Sequence, residues 1–194
     1  LIVDFYHVRQ LADFQPNVTT QIYDQNGELV SELFWQKREV VPFNKIPKDL
    51  VNAIVAMEDN EFYSHWGVNP KGIVRAFFVN ILSGRVKQGG STITQQTAKN
   101  VFLWPSRTYV RKGIEAYFTI LMELFWSKER IMEVYLNVIE LGPGIYGVEA
   151  ASKKFFKKSA SKLTVSEAAL LTAVLPNPIK LKAAKPSAYV LKRQ

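Results

Sequence analysis

A mainly α-helical globular domain with a short β-hairpin near its N-terminus is what this 194-residue sequence predicts. Three observations predict it. From Pro47 onward, apolar residues recur at the three- and four-residue spacing of a helix face, in stretches near 47–60, 70–82, 91–103, 107–126, 128–138, 145–156 and 164–175. Before that, β-prone residues between Thr19 and Trp35 flank Asp24-Gln25-Asn26-Gly27, a strong turn signal. No repeat, low-complexity tract or Gly/Ser linker interrupts the chain, so residues 1–194 are expected to form one domain.

Taken in order, residues 1–15 place Leu1, Phe5, Val8 and Leu11 on one side of a helix. The chain begins without Met and in mid-pattern, which reads as a helix or linker left after removal of an upstream anchor. The hairpin is expected over 19–35. Pro47 suits the first turn of the next helix, where a missing N–H costs little. Thr164-Val165-Ser166-Glu167 is a capping box opening the helix near 164–175, and Pro176-Asn177-Pro178 ends it. No run approaches the roughly 18 apolar residues of a membrane span.

The composition, 47% hydrophobic and 12% aromatic, is that of a globular protein. A net charge of +8 points to anionic partners: nucleic acid, acidic headgroups or phosphorylated substrates. With no cysteine and only His7 and His65, disulfides and thiol nucleophiles are excluded, and too few soft ligands remain for a typical zinc site.

Chemistry concentrates in four segments. Glu58, in Met57-Glu58-Asp59-Asn60-Glu61-Phe62-Tyr63-Ser64-His65-Trp66-Gly67, falls one turn beyond Ile54 and two beyond Val51. Partial desolvation and the negative helix end both disfavour its anion there, as a base working near neutral pH requires. A capping or salt-bridging Glu is the plainer reading. Gln88 to Asn100 is a glycine turn followed by hydroxyls and amides suited to a sugar or phosphate, or else a well-capped helix with Ser91 as its N-cap. Arg107, Arg111, Lys112 and Glu115 share one helix, where Lys112 and Arg111 lie three and four residues from Glu115. This is a surface ion-pair cluster or a diphosphate holder. Residues 72–82 are apolar nearly all round and flanked by Lys71, Arg85 and Lys87, so that helix is either buried or lies in a bilayer interface.

Together these segments resemble glycosyltransferase family 51, the peptidoglycan glycosyltransferases, found as monofunctional transglycosylases and as the N-terminal domain of class A penicillin-binding proteins. The resemblance covers roughly residues 20–190. Glu58-Asp59-x-x-Phe62-x-x-His65-x-Gly67 matches the first motif, and Gly89-Gly90-Ser91-Thr92-Ile93-Thr94-Gln95-Gln96 the second. Arg111-Lys112-x-x-Glu115 matches the third, and Lys128-x-x-Ile131-x-x-x-Tyr135-Leu136-Asn137 the fourth. Gly147-Val148-Glu149-Ala150-Ala151 and Ala168-Ala169-Leu170-Leu171 complete the ordered set.

The resemblance implies a lysozyme-like helical fold with a small membrane-proximal jaw lobe, here residues 70–90. It implies polymerisation of lipid II in bacterial cell wall synthesis, at the outer face of the cytoplasmic membrane, with moenomycin as an inhibitor. By position Glu58 is the base, and Glu115 the second essential Glu, which orients the cations or helps hold a divalent metal (magnesium or manganese). Lys99, Arg107 and Lys112 match diphosphate contacts, and Arg111 belongs to the same cluster. Ser91, Gln95 and Gln96 are expected to contact sugar or phosphate, while Asp59 supports the Glu58 loop and completes the substrate-binding set. No organic cofactor is implied. Expected partners are lipid II, the growing lipid-linked strand, the membrane surface through 72–82 and other cell-wall synthesis proteins.

A glycan hydrolase is the nearest rival, but it has little use for three diphosphate-matched cations. No nucleic-acid-binding pattern appears, which sets that class of partner aside. Ser159-Ala160-Ser161-Lys162 satisfies Ser-x-x-Lys without the other transpeptidase motifs, and is expected to be a loop.

Overall fold

A computed structural model describes residues 20–26, 28–33, 37–84, 89–104 and 108–194. Its described part is mainly helical, with eight α-helices. The expected helix over 1–15 lies outside the described residues, as do Arg107 and residues 85–88 of the 70–90 segment. The described residues fall into two compact units: Glu58–Tyr135, and the residues before Glu58 together with Leu136–Gln194.

The second unit opens with the hairpin. Strands β1 (Thr20–Tyr23) and β2 (Leu29–Leu33) pair antiparallel, Thr20 opposite Leu33, with an irregularity between Ile22 and Tyr23. Asp24 closes the turn: its Oδ1 accepts from the backbone N–H groups of Asn26 and Glu28, each at 2.8 Å. An Asp side chain that substitutes for a backbone acceptor is what makes this run turn.

Helix α1 (Lys48–Glu58) follows and buries Leu50, Val51 and Ile54. A second small sheet was not legible in the sequence. Its strands β3 (Lys37–Arg38), β4 (Glu140–Gly142) and β5 (Ile145–Tyr146) lie in the order β3-β5-β4. Two- and three-residue strands are too short to show periodicity. The helix expected at 145–156 therefore starts late, as α6 (Val148–Phe156), after Gly147 at φ 81°. A Cβ on Gly147 would stand 2.9 Å from the Asn137 carbonyl oxygen, so only glycine fits. Buried Asn137 clasps Val41, accepting from its N–H at 2.8 Å and donating to its carbonyl at 2.9 Å. It is a structural member of the fourth motif.

Helix α7 (Val165–Val174) carries the expected capping box, Thr164 with Glu167. Ser159 precedes a short 3₁₀ turn, Ala160–Lys162, and donates to Glu149, a structural use of the Ser-x-x-Lys run. The helix near 164–175 is not the last, because α8 (Ala188–Arg193) follows, capped by Ser187.

The first unit contains α2 (Pro70–Ser83), α3 (Ile93–Phe102), α4 (Tyr109–Phe125) and most of α5 (Lys128–Val138). Asn69 caps α2 through the Gly72 N–H, Pro70 occupies the first turn, and Gly84 ends the helix at φ 63°. Full burial of the 72–82 segment is overturned. Only Ala76 is buried, while Val74, Phe77, Phe78, Ile81 and Leu82 are all more than half exposed. Thr92, not Ser91, caps α3 in a reciprocal box with Gln95. Phe62, Ile93, Met122, Ile131, Met132 and Tyr135 are among the first unit's fully buried side chains.

Candidate active site

Glu58 is the last residue of α1, and its side chain is half-buried. The chain then turns sharply through Asp59–Gly67, and five contacts fix that loop. Buried Asp59 accepts from the Ile93 N–H at 3.0 Å and pairs with His65 Nε2 at 2.9 Å. Thr92 Oγ1 donates to the Gly67 carbonyl. Lys128 Nζ donates to the His65 carbonyl at 2.7 Å and stands 4.7 Å from the centre of the Phe62 ring. Gly67 itself sits at φ 73°, where a Cβ would come within 2.6 Å of Thr119. Asp59 thus supports the loop from inside, and its carboxylate faces His65 and α3.

Helix α3 presents Gln96 and Lys99, one turn apart, on the same side. Gln96 Nε2 donates to Glu58 Oε2 at 3.0 Å. The ammonium of Lys99 lies in the field of Glu115, Arg111, Lys112 and Glu58. Desolvation pushes its pKa below the ordinary lysine value even though part of the side chain reaches solvent; Arg111 and Lys112 push the same way, and Glu115 and Glu58 oppose. Gln95 is buried, and its Oε1 accepts from the Thr92 N–H, so the capping box occupies that oxygen.

Helix α4 carries the cation cluster. Glu115 is buried, with one oxygen accepting from Arg111 Nη1 at 2.9 Å and the other from Lys112. Arg111 is nearly enclosed at 12% exposure, whereas Lys112 is 48% exposed and also reaches Ser91 Oγ at 3.3 Å. Lys112 and Lys99 are therefore the cations most open to a ligand. Arg111 and Lys112 on one carboxylate, with Lys99 in its field, leave a positive surplus that favours an anion. Both Glu115 oxygens are held by cations, and among the described residues no three His, Asp or Glu side chains converge. This donor set does not fit a divalent metal held by Glu115.

Of the predicted residues, Glu58, Asp59, Ser91, Gln95, Gln96, Lys99, Arg111, Lys112 and Glu115 all belong to the first unit, and Arg107 lies outside the described residues. Three others are linked to the site without having been singled out as site residues. Glu123 Oε1 accepts from Thr94 Oγ1 at 2.6 Å and from Lys128 Nζ at 2.8 Å. Tyr135 is fully buried and its hydroxyl donates to Gln96 Oε1 at 3.3 Å.

Comparison with known sequences gives a consistent answer. The family profile described as Transglycosylase matches residues 26–194. A biosynthetic peptidoglycan transglycosylase of Bdellovibrio bacteriovorus is 56% identical over 157 residues, covering 81% of this chain and 62% of the relative. Its namesake in Bacteroides thetaiotaomicron is 56% identical over 158 residues, covering 81% and 63%. The one in Caulobacter vibrioides is 55% identical over 152 residues, covering 78% and 66%. The chain spans less than two thirds of the length of each of these relatives.

Proposed function

Since the chain belongs to the transglycosylase family, we propose that it polymerises lipid II into glycan strands. The observation that carries this reading is one carboxylate and one cation cluster in a single unit. Lys99 lies in the fields of both Glu58 and Glu115. In the proposed reaction Glu58 takes the proton of the acceptor's 4-hydroxyl as that oxygen attacks the donor's anomeric carbon. The new C–O bond forms opposite the breaking bond to the diphosphate, so the configuration inverts in one displacement. The electron pair leaves on the diphosphate, where Lys99, Lys112 and Arg107 act as the receiving cations. Charge that grows at the leaving group makes such cations worth more in the transition state than in the ground state. Glu115 then works through the cations, keeping Lys112 and Arg111 in place. Ser91 joins them through Lys112.

The lysozyme-like fold, the jaw-lobe role of 70–90 and the location at the outer face of the cytoplasmic membrane belong to the same proposal. The exposed apolar side of α2 supports contact with the bilayer that holds the substrate lipid. No described helix is long and apolar enough to cross a membrane.

Purified lipid II supplies the test. The wild-type chain is expected to yield polymer, and Glu58→Gln to lose at least about a hundredfold in rate, the scale of a general base. Full activity in Glu58→Gln would overturn the assignment.

A further inference from the structure

Glu58 has two carboxylate oxygens, and the surroundings treat them differently. Oε2 accepts from Gln96 Nε2 at 3.0 Å, while Oε1 accepts from no described group. A carboxylate only accepts, so the amide must turn its nitrogen to Glu58. That leaves Gln96 Oε1 facing the other way, toward the Tyr135 hydroxyl at 3.3 Å. Tyr135 is fully buried and Gln96 is its hydroxyl's partner, so the hydroxyl's proton has one acceptor to serve. We propose that Tyr135 and Gln96 are positioning residues, a relay from the core that fixes the Glu58 carboxylate by Oε2 and leaves Oε1 to take the acceptor's proton.

The relay rests on the glycosyltransferase reading and refines it. Without the Tyr135 hydroxyl, the Gln96 amide can rotate and present its own oxygen to the carboxylate, which repels it. Burial, and then the charges of Glu58 and Asp59, hold the Tyr135 phenol well above its ordinary pKa, so it stays a donor throughout the working pH range. On proton transfer, the acceptor's O–H bond breaks, the proton joins Oε1 and that bond's pair stays on the acceptor oxygen. The acceptor oxygen's pair forms the bond to the anomeric carbon, and the pair of the breaking anomeric C–O bond leaves on the diphosphate. Gln96 does not move a proton in this scheme.

The test is a cycle of Tyr135→Phe, Gln96→Leu and both together, assayed on purified lipid II with unfolding midpoints measured alongside. Each single variant is expected to lower kcat about tenfold with KM within about twofold, the mark of a group that acts only in the chemical step. The double variant is expected to be no slower than Gln96→Leu, because the phenol acts only through the amide. Multiplicative losses in the double variant would overturn the relay, as would a rise in KM with kcat intact, which would make Gln96 a substrate contact. Rates are read well below the lowest unfolding midpoint, because Gln96→Leu strands the buried phenol, so a less stable variant still decides the matter. A wild type that fails to polymerise lipid II condemns the function itself, whereas an active wild type with unchanged variants condemns only the relay.

Discussion

Lys99 shows how one residue's surroundings set its working range. Its ammonium is partly desolvated, and Arg111 and Lys112 add repulsion. Its folded pKa therefore lies below the ordinary 10.5. The sign follows directly. The unfolded chain holds this proton more tightly, so the charged Lys99 burdens the fold at low and neutral pH, and the burden lifts as pH rises through the lowered folded value. Binding runs the opposite way, because an anion needs the charge. Diphosphate affinity is expected to fall on the alkaline side before an unperturbed lysine would titrate. Lys99→Arg should abolish that alkaline limb, since a guanidinium stays protonated. Calorimetric titration with a diphosphate-bearing lipid analogue across the alkaline range checks it, and an unchanged limb in Lys99→Arg would assign the titration elsewhere.

At the scale of elements, α3 is the organising helix, and its N-terminus does more than begin it. Thr92 accepts from Gln95 N–H, its own N–H donates back to Gln95, and its hydroxyl holds the Gly67 carbonyl. One buried side chain thus caps a helix and pins the loop that leads from Glu58. Thr92→Ala is expected to cost about 1–2 kcal/mol, the usual range for a lost cap, read by denaturant unfolding. Thr92→Ser, which keeps the hydroxyl, should recover most of it. The sequence predicts this helix, yet takes Ser91 for its cap, because both hydroxyls fit the pattern and only the fold decides between neighbours. The same limit explains Glu123, Lys128 and Tyr135. Their partners lie 29, 63 and 39 residues away in sequence, so although Lys128 and Tyr135 stand in the fourth motif, no local pattern shows what they hold. Glu58 and Lys112 were singled out because each belongs to a short motif whose spacing is itself the signal, and Lys99 through its place in the family resemblance. The small sheet was not legible, since its strands are only two or three residues long and β3 pairs with β5 from far along the chain.

For the molecule as a whole, the proposed contact with the bilayer joins the net charge of +8 to the exposed side of α2. Positive charge draws the protein to an anionic surface over about a Debye length, roughly 8–10 Å at physiological salt. Apolar side chains then hold it there by leaving water, which salt does not screen. The two contributions are separable. Phe77 and Phe78 are 60% and 57% exposed and pack edge-to-face on each other, so replacing both by Ser removes apolar surface while touching little of the core. Each ring that leaves water on insertion contributes up to about 1.5–3 kcal/mol. The pair is therefore expected to strengthen partition onto vesicles by at least about tenfold, a ratio that corresponds to 1.4 kcal/mol. Co-sedimentation with vesicles containing anionic lipid should show Phe77→Ser/Phe78→Ser binding more weakly at every salt concentration. Raising the salt should weaken wild type and variant in the same proportion, since both keep all 25 Lys and Arg residues. Equal binding by the two proteins would mean that charge alone attracts this chain to lipid, and that the apolar side of α2 faces something other than the bilayer.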